Sequence, residues 1–565
     1  MSSWSGTSAF QIIVVIFIGL LCGLASVLLY YGVVGLENFF FSVLPPIAAP
    51  AIGGLIVGLF AWLIHTEKGA GISSVMEALA LRNGRISGAV APVTLLAATV
   101  TIGSGGSAGR EGPIVAIGSS IGSSVARYLH LSSEQVRNMV AAGAAAGLAA
   151  AFNIPLAGVI FAMEVILGDF SVVAFSNLVV AAVAAAAVSH GFLGDSPAFI
   201  VPNYQLISYR ELFFYALLGL TAAVVSKYFI RILYGIEDLF EHKIKAATPF
   251  KPFIGGAIVG LIGFAIPQIF GAGDTTIELV LQNQLPLWLM AILIVLKPIA
   301  TAFTVGSGGT GGVFMPSLFT GAVLGGTFGV IVHQFFPMIT APAGAYAIVG
   351  MGALLAGSMQ APLTAIVMLL ELTRNYQIAL PLMAACSIAY LLANLLGEET
   401  VYSYTLLRKG IRLKAGKDLN ILQSINAGTI MERRVQTVAA DTTVGEVVKL
   451  MQASRYTGYP VIDNNGDLVG IITLSDIRDI PDPEKRLATP VRLAMTTDLI
   501  LGYLDEDLAD ISQKFMSKDI GRIPVVDRQN PAKLLGLITR TNLISAYNKA
   551  LVLSEHPEIQ RENHA

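Results

Sequence analysis

From residue 9 to about residue 400, one apolar segment follows another with little charge between them. Clear runs occupy 12–34, 47–64, 88–102, 136–167, 171–189, 212–226, 253–270, 287–305, 316–336, 343–370 and 378–396. Such a chain has to be solvated by lipid over most of its length. Only 13% of its residues are charged and 54% are hydrophobic, whereas soluble domains carry about 25% charge. No Lys or Arg precedes Lys68. A simple spanning helix needs about 20 apolar residues, and several of these runs are shorter or broken by Gly and Pro. They predict helices that stop inside the bilayer, where irregular backbone survives only under cover of protein or a polar cavity. The run from Ile12 to Val34 is long enough to stay in the membrane and lacks the basic flank of a signal peptide.

Charge outside these runs sets the orientation. Lys227, Arg231, Lys243, Lys245 and Lys251 cluster between two apolar blocks, and Arg408, Lys409, Arg412, Lys414 and Lys417 follow the last one. The positive-inside bias places both clusters, and the tail after them, in the cytosol. The expected location is the plasma (inner) membrane. A net charge of -2 gives no reason to expect a nucleic acid partner. The 2 cysteines, Cys22 and Cys386, sit in separate apolar runs, which argues against a disulfide framework or a Cys metal site. The 7 His are scattered, and no metal is expected.

The membrane part repeats itself. TIGSGGSAGREGP from Thr101 returns as TVGSGGTGGVFMP from Thr304. Further on, 145–165 matches 353–372, pairing Pro155 with Pro362 and Glu164 with Glu371. Two related halves, about 10–235 and 250–400, suggest a repeat-built transporter whose substrate sits near the midplane between them. Inverted repeats are expected if each half carries an odd number of spans. The tail also repeats, with 459–477 resembling 523–543, and Gly470 and Thr473 matching Gly536 and Thr539. Its alternating apolar runs and helical patterns predict two small α/β units.

The Gly-rich segment 103–113 can free backbone N–H groups to face a ligand, and Pro113 suits the first turn of a helix. A helix N-terminus offers unpaired donors and about half a positive charge, which makes an anion site. Amides attract an anion without holding it as tightly as a buried Lys would. The second copy, 306–316, can supply another such terminus. Glu111 stands at the start of the first helix. Its carboxylate is itself an anion, able to fill the site when charged and leave when protonated. The bland alternative pairs Glu111 with Arg110 or makes it a helix cap.

These motifs resemble those of the CLC family of chloride channels and chloride/proton exchangers, over nearly the whole chain. GREGP (109–113) is similar to the family's gating-glutamate motif, and GVFMP (312–316) to its GxFxP motif. The resemblance implies Glu111 as gate, with Arg110, Gly112, Val313 and Phe314 along the anion path. TVYSYTLLRKG resembles the segment whose tyrosine contacts the central anion, which implicates Tyr402; without the resemblance, Tyr402 reads as an interfacial anchor. GAGIS (69–73) takes the place of the family's GSGIP-like segment, so Ala70 replaces the anion-contacting serine. The amides of Gly71 and Ile72 remain, and anion selectivity is left open. The proline of GREGP argues against the fluoride-selective branch.

In FAMEVILG (161–168), exchangers of the family often carry a second, proton-relaying glutamate, and its position is Val165 here. A valine cannot relay a proton. Glu164 and Glu371 read better as structural acids that cap or bridge inside the bundle. The tail resembles a pair of CBS domains, at 428–482 and 490–548, after a linker at 411–427 and before a terminal tail at 549–565. The resemblance implies an adenine nucleotide at Thr473, Asp476 and Thr539. The competing reading is a plain dimerising module in which Thr-x-x-Asp is a helix cap. The second copy has Asn542 where the first has Asp476.

The expected whole is therefore a polytopic α-helical membrane domain over 1–410 with a cytosolic α/β CBS pair, assembled as a homodimer. Three functions compete. Val165 favours an anion channel of the voltage-gated type, opened by protonation and movement of Glu111. The alternative is a secondary active chloride/proton antiporter with atypical or weak proton coupling, and neither requires a cofactor. A cation channel or membrane enzyme is disfavoured. A cation path would use rings of acids or carbonyls; HExxH and a Gly-Lys-Ser/Thr phosphate loop are missing, and GxSxG occurs only as GGSAG (105–109) and GSSIG (118–122) inside the Gly-rich membrane segment.

Overall fold

A computed structural model of the chain describes residues 8–64, 71–195, 197–202, 204–244, 246–397, 399–408, 422, 425–454, 456–478, 480, 487–517 and 520–555. The chain divides into a membrane unit, Met1–Leu79 with Asn83–Ala415, and a C-terminal unit formed mainly by Gly416–Ala565.

In the first half of the membrane unit the helices are α1 (Ser8–Val43), α2 (Ala49–Ile64), α3 (Ile72–Leu81), α4 (Val90–Gly103), α5 (Glu111–Tyr128), α6 (Ser133–Phe152), α7 (Pro155–Phe161) and α8 (Val172–Leu193). The second half repeats the order as α9 (Glu211–Asp238), α10 (Lys251–Ala265), α11 (Asp274–Leu281), α12 (Leu287–Gly306), α13 (Phe314–Phe335), α14 (Ala343–Met359), α15 (Pro362–Thr373) and α16 (Ala379–Leu396). A short α17 (Ser403–Arg408) follows. Among the described residues, 6 helical stretches are long and apolar enough to cross a membrane, and shorter apolar helices stand between them. This is a multi-pass membrane protein.

Packing repeats with the sequence. α5 lies on α6 as α13 lies on α14, α1 on α8 as α9 on α16, and α4 on α5 as α12 on α13. Between the halves, α2 packs on α10 and α7 on α15. Lipid supplies no hydrophobic drive for helices to associate, so close approach through small residues takes its place. At the α5–α6 crossing a Cβ on Gly118 would lie 2.1 Å from the Gly143 carbonyl oxygen. At the α13–α14 crossing a Cβ on Gly321 would lie 2.5 Å from that of Gly350.

Two long apolar runs are each two helices. The run 136–167 breaks at Asn153, which caps α6 in the left-handed conformation at φ 57°, before Pro155 opens α7. The run 343–370 breaks in the same way at Gln360 and Pro362. After α7 the chain continues as a wider π turn over Ala162–Leu167.

The C-terminal unit holds two alike three-stranded sheets. In the first, β1 (Val438–Ala439) runs parallel to β2 (Gly458–Ile462), which pairs antiparallel with β3 (Leu468–Thr473). In the second, β4 (Gly502–Tyr503), β5 (Arg522–Val526) and β6 (Leu534–Thr539) repeat the order. Val461 faces Gly470 as Val525 faces Gly536, and each sheet carries a register shift at the residue after that valine. Helices Val444–Ser454 and Leu508–Ser517 cover the sheets.

Candidate anion-binding site

The two Gly-rich loops meet. Each follows the first helix of an equivalent pair, α4 or α12, and leads into the second, α5 or α13. At their meeting point Gly109 N–H donates to Gly312 O at 2.8 Å and Gly312 N–H donates to Gly109 O at 2.7 Å. This reciprocal bridge brings the N-termini of α5 and α13 side by side. Each end carries unpaired amides and partial positive charge.

Glu111 is fully buried at this junction. Its Oε1 accepts from Phe314 N–H at 2.5 Å and from Met315 N–H at 3.1 Å. The carboxylate of one half therefore caps the helix of the other. Its Oε2 is buried without a protein donor. Glycine is required here by space: a Cβ on Gly312 would lie 2.4 Å from Oε1, and one on Gly109 would lie 2.0 Å from Oε2. Arg110 turns away, with its guanidinium 5.2 Å from the ring centroids of both Tyr30 and Phe152. No ion pair joins Arg110 to Glu111 among the described residues. Val313 and Phe314 are buried at the start of α13, and a Cβ on Gly112 would stand 3.0 Å from Gly312 Cα.

Tyr402 is buried, and its hydroxyl lies 3.8 Å from the Met359 sulfur. The segment that carries it is pinned by α9: the Tyr234 hydroxyl donates to Val401 O at 2.7 Å, and the Tyr234 ring stacks on Tyr404 at 4.2 Å. Ile72 is buried at the start of α3, while Gly71 N–H is already taken by Ser74 Oγ at 3.0 Å. That amide is less available to an anion than the sequence suggested. Ala70 lies outside the described residues.

Comparison with known proteins decides the family. The model for the voltage gated chloride channel family matches residues 58–394, and the CBS domain model matches 427–481 and 491–549. The chain belongs to the CLC family. A putative chloride channel protein, ClcB-like, from Ralstonia nicotianae is 35% identical over 368 residues, 64% of this chain and 85% of that protein. The H(+)/Cl(-) exchange transporter ClcA of Cronobacter sakazakii is 34% identical over 392 residues, 68% of this chain and 82% of that one. Among solved structures, a slow cyanobacterial Cl-/H+ antiporter superposes with a TM-score of 0.65 at 28% identity, covering 71% of this chain and 97% of its own.

In this CLC chain Glu164, next to Val165, and its repeat partner Glu371 have a structural task. Glu164 accepts from Leu363 N–H at 3.2 Å, Thr364 N–H at 2.7 Å and Thr364 Oγ1 at 2.6 Å. Glu371 accepts from Leu156 N–H at 3.1 Å and Ala157 N–H at 2.7 Å. Each acid caps the helix that carries the other, and the exchange has the same two-fold character as the Gly109–Gly312 bridge. Val165 is half-buried against the core on the π turn.

Sequence reasoning passed over two buried charges. Lys297 Nζ on α12 donates to Ile269 O at 2.9 Å and Gly271 O at 2.8 Å and lies 4.9 Å from the Phe319 ring centroid. Glu211 opens α9 and accepts from Ala341 N–H at 2.6 Å and Ile207 N–H at 3.1 Å. A lone Lys inside the run 287–305 was a visible signal, but its carbonyl partners were not. Asp238, Glu241 and His242 also come together at the end of α9. Arg408 already pairs with Asp238 there and lies 3.8 Å from Glu241, so a cation's place is taken.

In the CBS pair, Thr473 and Asp476 satisfy each other. Asp476 Oδ2 accepts from Thr473 N–H at 2.7 Å and Thr473 Oγ1 at 2.7 Å, and Oδ1 accepts from Thr496 Oγ1 at 3.0 Å. Thr539 N–H donates to Asn542 Oδ1 at 2.9 Å in the same pattern. Both are helix caps. Oδ2 is taken by the cap, while Oδ1 carries a single exposed bond and keeps a lone pair, so the cap geometry is compatible with a ribose contact at Asp476.

Proposed function

We propose that this protein is a secondary active chloride/proton antiporter with weak proton coupling, in which Glu111 both closes the anion path and carries the proton. The observation that carries this reading is the Glu111 carboxylate seated on the Phe314 and Met315 amides. That position is a site for a small anion, filled by a tethered one. Protonation removes the charge that these amides hold, so the side chain leaves and chloride enters. One group thus links the two ions. The exchanger names of the ClcA relative and of the cyanobacterial neighbour support exchange over conduction. We assign Gly112, Val313, Phe314, Ile72, Gly71 and Tyr402 to the path, with Ala70 removing a hydroxyl from it and Arg110 lending positive charge at its rim. Residues 1–410 form the transport domain. The CBS pair is placed in the cytosol by the positive-inside bias, as a regulatory module of a homodimer.

The channel reading rests on Val165, which leaves the usual proton-relay position without an acid. Reconstitution in liposomes with chloride and pH followed together separates the two. An antiporter drives protons uphill on a chloride gradient. Chloride flux with no accompanying proton movement would establish the channel instead.

A further inference from the structure

The two Gly-rich loops are tied to each other by more than the Gly109–Gly312 bridge. Thr101 Oγ1, near the end of α4, donates to Ala97 O at 2.9 Å and accepts from Thr310 N–H in the opposite loop at 3.1 Å. Thr304 Oγ1, near the end of α12, donates to Ala300 O at 3.0 Å and accepts from Ser107 N–H in the first loop at 3.0 Å. All four of these loop and helix residues are buried. Each hydroxyl thus spends its proton within its own helix and turns its lone pair on the other half's loop. An additional contact, Ser107 Oγ to Thr301 Oγ1 at 3.2 Å, has no counterpart, because Ala98 stands where the first half would need a hydroxyl. Two reciprocal pairs of hydrogen bonds, four bonds in all, therefore cross between the halves within one loop length.

We propose that Thr101 and Thr304 are positioning residues that lock the two loops into one rigid body, so that the amide site for Glu111 stays fixed while only the glutamate side chain moves. This rests on Glu111 being the gate. Thr304 holds the loop that delivers the carboxylate, and Thr101 holds the loop that presents the Phe314 and Met315 amides. Releasing either one leaves a buried N–H unpaired and lets donor and acceptor drift. Charge-assisted hydrogen bonds are steep in distance and angle. The loss falls on the charged, docked form of Glu111, so the gate opens with less acid.

The test is chloride flux against pH in liposomes for full-length Thr101→Val and Thr304→Val. Valine keeps the shape and removes the acceptor. The acid-activated limb is expected to move to higher pH by about 0.5–1 unit, a 3–10-fold fall in the proton concentration required, roughly the size one buried hydrogen bond gives. Thr→Ser at either position restores the wild-type midpoint, and the shift disappears in a Glu111→Gln background. Folded valine variants with an unmoved midpoint overturn the lock. If the valine variants do not fold, hydrogen exchange on the wild-type protein decides it: peptides covering Ser107 and Thr310 exchange together and slowly if the lock exists, and rapid exchange of either one overturns it. Should Glu111→Gln itself keep the wild-type pH profile, the gate reading fails, and the exchange measurement still decides the lock.

Discussion

Glu111→Gln replaces the docked anion by a neutral group of the same shape. Glutamine can still accept from Phe314 and Met315, so geometry is nearly conserved and the change is one of charge. A hydrogen bond to a charged group contributes about 1.5–3 kcal/mol, against about 0.5–1.5 kcal/mol between neutral partners. Two such bonds hold the carboxylate by about 3–6 kcal/mol and the amide by about 1–3 kcal/mol. The difference of about 2–3 kcal/mol is a factor of about 30–160 in favour of a competing anion. The variant should therefore conduct chloride at neutral pH at least as well as the wild type does in acid. Its flux should be flat from about pH 4 to about pH 8, because no carboxyl remains to titrate there. Wild-type flux should rise as pH falls, since protonation removes the charge the amides hold. Chloride efflux from liposomes, with internal pH followed in parallel, measures both. Persistence of the wild-type pH profile in Glu111→Gln would refute the gate, and retained uphill proton movement would refute its role as proton carrier.

Gly312→Ala keeps the acid and obstructs its seat, because the new Cβ would stand 2.4 Å from Oε1, and it also presses on the Gly112 backbone nitrogen at 2.7 Å. Its chloride efflux should depend less steeply on pH than that of the wild type. Glu371→Ala removes the acceptor of the exposed Leu156 amide and of the part-buried Ala157 amide, the latter at about 1–3 kcal/mol; the thermal unfolding midpoint in detergent should fall, with Glu164→Ala behaving alike. Val165→Glu places an acid at the position that the family resemblance assigns to a proton relay and, on our proposal, should raise proton flux relative to chloride flux in the liposome assay. An unchanged ratio would mean that protons reach Glu111 by another way.

Some of this site could be read along the chain and some could not. The Gly-rich loops, Glu111 and Phe314 stood out because a repeat marked them and because lipid leaves so few reasons for an acid to be present. The capping tasks of Glu164 and Glu371 also followed from their paired positions. The division of the runs 136–167 and 343–370 was hidden by their even apolarity, although Pro155 and Pro362 marked the restarts. What forces the break is the left-handed turn at Asn153 and Gln360, which serves the packing of α7 against α15, a contact between residues far apart in sequence. Thr101 and Thr304 were silent because a threonine in an apolar run is ordinary helix filler until its partner across the halves is known. In the CBS pair, Thr473 and Asp476 carried two readings of one spacing; the geometry shows the cap, which does not exclude a nucleotide.

If Glu111 is the gate we propose, the near-symmetry of the site gives the reason one residue suffices. Both halves build the same frame: a Gly-rich turn, a helix start, a proline two residues into the helix, and a threonine reaching across. A carboxylate in both copies would place two negative charges against one pair of helix ends, and each would raise the cost of the other. Phenylalanine at 314 avoids this. Its backbone amide supplies the donor and its ring, 6.4 Å from that of Phe152, fills apolar space without competing for it. On the gate reading, the duplicated frame makes the anion site, and the carboxylate present in only one copy makes it closable; Arg110, which faces Val313 in the alignment, is the other position where the copies differ in charge. Placing Glu at 314 in the Glu111→Gln protein should then test whether the frame is functionally two-fold. If it is, acid-dependent chloride flux returns with the gate on the opposite loop. If flux stays flat with pH, the surroundings of Glu111 contribute more to gating than the shared loops do.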